Sequence, residues 1–203
     1  MKSSIIITFF AILSANLCAQ KQTDKMPINL PYYSIPDTLT TFTSGNIIAR
    51  FIDGLGYRYY WATEGLTEKD LLYKPSLEGQ STRQTLEHIY DLSNVIINAL
   101  EHKLNKRSDA SHEFTFKELR ESTLINLSNA SSAFSKLHED DLNNVTIIFQ
   151  DSEGSTNEFP LWNVINGPLS DALYHTGQIV SFRRSSGNPI NPNVNVLRGK
   201  TSE

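Results

Sequence analysis

One cysteine, Cys18, stands near the amino terminus, and the rest of the chain has none. That leaves no disulfide framework, and a chain cut beyond residue 18 carries no thiol nucleophile or thiolate ligand. Lysine and arginine form no block and the net charge is −4, which argues against nucleic acid as a partner. No apolar run is long enough to cross a membrane as a helix. Internal repeats and low-complexity tracts are also missing, so repetitive adhesive or structural architectures have little support.

What is present is ordinary globular material: 203 residues, 39% apolar and 20% charged, enough for one domain of usual size. Met1 and Lys2, the apolar run Ile5 to Leu13 and the exit Leu17-Cys18-Ala19 read as a secretory signal over 1–19. Export to the periplasm or the exterior is the expectation. Leu17 stands where a lipid-attachment box has a small residue, so cleavage after Ala19 is favoured over a lipoprotein anchored at Cys18. Residues 20–43 hold Pro27, Pro31 and Pro36 and read as a flexible lead-in; residues 191–203 read as a polar tail.

Between these ends, 44–190 form the folded unit. Ile48, Phe51, Ile52, Leu55, Tyr59 and Ala62 predict a first helix over about 44–65. Ser81-Thr-Arg-Gln84 is a capping box opening a second helix to about Leu104, with Leu86, Ile89, Leu92, Ile96 and Leu100 as its stripe. Thr115-Phe-Lys-Glu118 caps a third, ending near His138. Val145 to Gln150 and Ser155 to Phe159 predict a β-hairpin about Asp151-Ser-Glu-Gly154. Pro168 then suits the first turn of a final helix and Gly187 with Pro189 its end. Four amphipathic helices are most economically buried as an antiparallel four-helix bundle, an all-α fold with the hairpin before the last helix.

Sites in such bundles are built from inward side chains of facing helices. Asp171 and His175 are four apart on one helix face, and His88 lies in line with Leu92, Val95 and Ala99 at the edge of its stripe. Two imidazoles and a carboxylate make a ligand set for zinc, nickel or ferrous iron with positions open to water or substrate. The plainer alternative makes Asp171 a first-turn acid answering the helix dipole and the histidines hydrogen-bonded core residues. His102, His112 and His138 sit in polar or helix-end contexts. Arg183 and Arg184 fall in a last turn, where cations answer the dipole, and Trp61 and Trp162 suit core. Glu87 faces away from His88. The glycosylation triplets at Asn126, Asn129 and Asn144 carry little weight, two of them lying in a predicted helix.

Thr85-Leu-Glu-His88-Ile-Tyr-Asp-Leu, followed by Asp171-Ala-Leu-Tyr-His175-Thr-Gly-Gln178-Ile-Val-Ser-Phe-Arg-Arg-Ser-Ser-Gly187-Asn-Pro, resembles the DinB/YfiT-like family of metalloenzymes over about 44–189. The resemblance implies an up-down-down-up four-helix bundle, often dimeric, with a divalent metal on His88, Asp171 and His175. Many relatives have histidine where this chain has Asp171. It also implies a small-molecule substrate and a hydrolase or transferase reaction, in some relatives transfer to a low-molecular-weight thiol. Those thiols are cytosolic, so the export signal counts against thiol transfer. Gln178 would orient a ligand from behind the metal, and Tyr174 would edge the pocket. The competing reading is a non-catalytic binding or stress-associated protein with a degenerate metal site.

Overall fold

The computed structural model describes residues 29–106 and 113–202. The expected signal at 1–19, Cys18, the first part of the lead-in and His112 lie outside the described residues. The fold is mostly helical with a small sheet. Helix α1 spans Ser44–Thr63, opened by Thr43, whose hydroxyl accepts from Asn46 N at 3.2 Å. A short α2, Glu68–Leu71, and α3, Thr82–Leu100, each begin with a complete capping box, Thr67 with Asp70 and Ser81 with Gln84. Strand β1, Leu104–Lys106, follows. Helix α4, Phe116–Phe134, carries the Thr115–Glu118 box, and α5 is the single turn Glu139–Leu142. Both α3 and α4 stop four residues short of the expected ends; beyond α3 the chain turns through His102 at φ 53° into β1.

Strands β2, Thr146–Gln150, and β3, Thr156–Pro160, form the expected antiparallel hairpin. Its turn is held by Asp151 Oδ1, which accepts from Glu153 N at 2.9 Å and Ser155 N at 2.8 Å. Sequence reasoning missed β1, which pairs parallel to β2 and makes the sheet three-stranded. Helix α6, Leu161–Val164, runs through a π turn, Ile165–Leu169, into α7, Ser170–Ser186. The last helix therefore does not start at Pro168; the proline sits inside a continuous helical run.

Helices α1 and α3 each pack against both α4 and α7. Ile52, Leu55, Leu86, Ile89, Leu127 and Ile179 are fully buried between them, each worth roughly 1.5–3 kcal/mol relative to exposure. Phe51 and Trp162, expected in the core, are at the surface, Trp162 at 73% exposure. Among the described residues no helix is long and apolar enough to cross a membrane.

Both described ends make contacts with the helices or with each other. Tyr32 is buried on α1, and Trp61 Nε1 donates to Tyr33 O at 3.1 Å. Strands β4, Val194–Asn195, and β5, Lys200–Thr201, form a second small hairpin. Ile35 N donates to Gly199 O at 2.8 Å and Lys200 pairs with Asp37 at 2.8 Å, so lead-in and tail hold each other. Backbone and side-chain bonds thus join the described part of the lead-in to the tail.

Candidate metal centre

His88 projects from the second turn of α3, one turn before Leu92 on the same face. Asp171 and His175 project from α7, one above the other at the i, i+4 spacing. The packing of α3 on α7 brings the three together: one ligand atom from each lies within 4.8 Å of the others. Asp171 Oδ2 is 3.1 Å from His88 Nε2, and Oδ1 is 3.3 Å from His175 Nε2. The two imidazoles meet edge to face with centroids 4.7 Å apart. Ligand atoms around one tetrahedral zinc at ~2.1 Å lie about 3.4 Å apart, so the donor set and its spacing fit such an ion.

The other nitrogen of His175 decides which atom is offered. Nδ1 lies 2.7 Å from Gln178 Oε1. A carboxamide oxygen only accepts, so Nδ1 carries the proton and Nε2 can keep its lone pair, as a ligand requires. That lone pair then faces a carboxylate oxygen. Two acceptors at such range are held by a proton or a cation between them. The side chains of His88 and Asp171 are 41% and 39% exposed and that of His175 16%, so the trio opens to solvent on the His88 side. A site meant only to brace the fold is closed; an open one leaves room for water or substrate.

No family model, curated protein or solved structure matches this chain.

The plainer account of Asp171 loses its ground. Because α6 and the π turn precede it without a break, Asp171 does not sit on a free helix end where a dipole would favour an acid. Gln178 stands where expected, behind His175. Tyr174 is 63% exposed with its ring 5.2 Å from that of His175, on the rim of the trio. Glu87 is engaged by Arg83 at 2.7 Å and takes no part. His102 lies in the turn between α3 and β1, and His138 caps α5 through its backbone.

Arg183 has a role the sequence reading missed. It is buried, and its guanidinium donates to the carbonyls of Trp61, Ala62 and Glu64 at 2.9–3.1 Å, closing the carboxyl end of α1. Asn188 adds bonds to Gly65 O at 2.9 Å and Asp70 Oδ2 at 2.7 Å. Gly187, at φ 95°, makes the left-handed turn that presents Asn188. The Arg-Arg-Ser-Ser-Gly-Asn stretch is thus a structural lock between helix ends, away from the trio.

Proposed function

We propose that this chain is an exported metal-binding protein built as a DinB-like four-helix bundle, acting as a metal-dependent hydrolase or transferase on a small molecule. The observation that carries the reading is the convergence of His88, Asp171 and His175 from two helices, with Gln178 turning the His175 lone pair inward. The packing of α1 and α3 against α4 and α7 supports the bundle. Export rests on residues 1–19 alone, and pairing with a second copy on the family resemblance alone.

His88, Asp171 and His175 would hold the ion, leaving the solvent side free. A divalent ion there would lower the pKa of a bound water or thiol and accept negative charge from a reacting carbonyl or phosphoryl oxygen. The protein's own work is geometric. Gln178 fixes the His175 tautomer, and Asp171 sets its carboxylate between the two rings.

One feature favours the non-catalytic alternative: Asp171 reaches both imidazoles, so a single added proton can hold the trio together without an ion. Zinc titration of the purified protein with a chromophoric competitor separates the two. The expected result is one equivalent bound, stoichiometric binding lost in His88→Ala and in His175→Ala, and affinity lowered about ten- to a hundredfold in Gln178→Leu. No zinc in the wild type, or equal binding in the histidine variants, overturns the metal centre.

A further inference from the structure

Asp171 also lines a cleft of about 280 Å³. One wall is α3: Leu92 and Val95 continue the His88 face by one and two turns. The facing wall is the hairpin. Ile147 stands directly across from Phe159, and Phe149 lies diagonal to Phe159 on the same face, their rings 6.1 Å apart. Gly167 and Pro168 of the π turn complete it, and among the described residues Asn163 and Asp171 are its polar side chains. Phe149 and Phe159 remain 43% and 38% exposed. Isolated exposed apolar side chains need no explanation, but here two phenyl rings line a cleft that Asp171 of the candidate trio also lines.

We propose that this cleft seats the apolar tail of a small amphiphile whose single donor head reaches His88, Asp171 and His175. The inference rests on the metal-centre reading and names its substrate class. Among the described residues no lysine or arginine lines the cleft, so a charge on the tail would lose water with nothing in return. At roughly 30 Å³ per water-sized volume, the space takes a tail of about nine non-hydrogen atoms. A short alkyl chain or one aromatic ring suits it; a sugar or a nucleotide does not.

The probes are straight-chain hydroxamates from acetyl to decanoyl, titrated into zinc-loaded full-length protein by calorimetry. Affinity is expected to rise up to about fourfold per added CH₂ while the cleft fills, then level off. Phe149→Ala and Phe159→Ala truncate half-exposed rings. They should weaken the hexanoyl probe several-fold while leaving zinc affinity and the acetyl probe unchanged. A Cβ at Gly167 meets nothing within 4 Å, so Gly167→Leu should fold and make the series level off at a shorter chain. Bound zinc with a flat series, or an unaltered series in all three variants, overturns the cleft assignment alone. Absence of bound zinc overturns the metal centre and this inference with it.

Discussion

The carboxylate of Asp70 joins the start of α2 to the end of α7. Ser186 Oγ donates to Oδ1, and Asn188 Nδ2, Thr67 N and Thr67 Oγ1 donate to Oδ2 at 2.7–2.8 Å. Burial alone would push this carboxyl up, but those donors outweigh it and hold it well below the ordinary carboxylate range. Asp53 is the opposite case. Ser131 and Tyr32 donate to it at 2.6 and 3.2 Å, yet burial prevails and raises it. The signs follow by linkage. A depressed Asp70 adds stability above the unfolded-state value, and that stability is lost as pH falls through and below the carboxylate range. A raised Asp53 adds stability at low pH that is lost as pH rises through its folded-state value. Urea denaturation at stepped pH should therefore show Asp70→Asn destabilised by about 2 kcal/mol at pH 7, converging on wild type as pH drops below about 4. Asp53→Asn, which keeps an acceptor for both hydroxyls, should match or exceed wild type at pH 7 and lose the advantage in acid. Asp171 and His175 were legible as a pair because they obey helical spacing, and His88 because it continues the face of Leu92 and Val95 on α3. Arg183 was not: a cation in a last turn looks the same from sequence whether it faces solvent or the carbonyls of another helix.

At the scale of elements, the capping boxes at Ser81 and Thr115 and the Asp151–Gly154 turn marked their own positions, since each is a local hydrogen-bond pattern. Strand β1 left no mark, because three residues hold too little alternation and its pairing with β2 is long-range. The π turn was hidden for a sharper reason. A proline with no N–H suits a helix start and suits equally a widened turn in which a backbone bond is already missing. Here Ser170 Oγ donates to Ile165 O at 2.7 Å, giving one backbone carbonyl of that turn a partner. The widened turn sets the phase of α7 relative to α6. Deleting Gly167 shortens it by one residue and turns α7 by about 100° against α6. The expected outcome is near-wild-type helicity by far-UV circular dichroism with zinc binding lost, since Asp171 and His175 no longer face His88. Retained zinc affinity would show that α7 finds its seat without the π turn.

For the molecule as a whole, both ends clasp α1. Tyr57 on α1 meets Thr201 Oγ1 of the tail at 2.8 Å, while Tyr32 of the lead-in lies across Gly56 and bonds Asp53. Tyr32 holds φ at 74°, a left-handed conformation costly for a non-glycine residue by about 1–2 kcal/mol. Its ring contacts must exceed that cost. A Cβ on Gly56 would stand 2.4 Å from that ring, so the glycine that weakens α1 locally is what lets the lead-in dock. Gly56→Ala should therefore lower Tm although alanine is the better helix former by about 1 kcal/mol. Tyr32→Ala alone should cost about 3 kcal/mol, lowering Tm by about 10 °C in a domain of this size. In the Tyr32→Ala background the clash is gone, and Gly56→Ala should turn neutral or stabilising. That reversal, read as a double-mutant cycle from thermal melts, distinguishes a docked lead-in from one that merely lies nearby; a Gly56→Ala effect equal in both backgrounds would show that the Tyr32 ring does not press on α1.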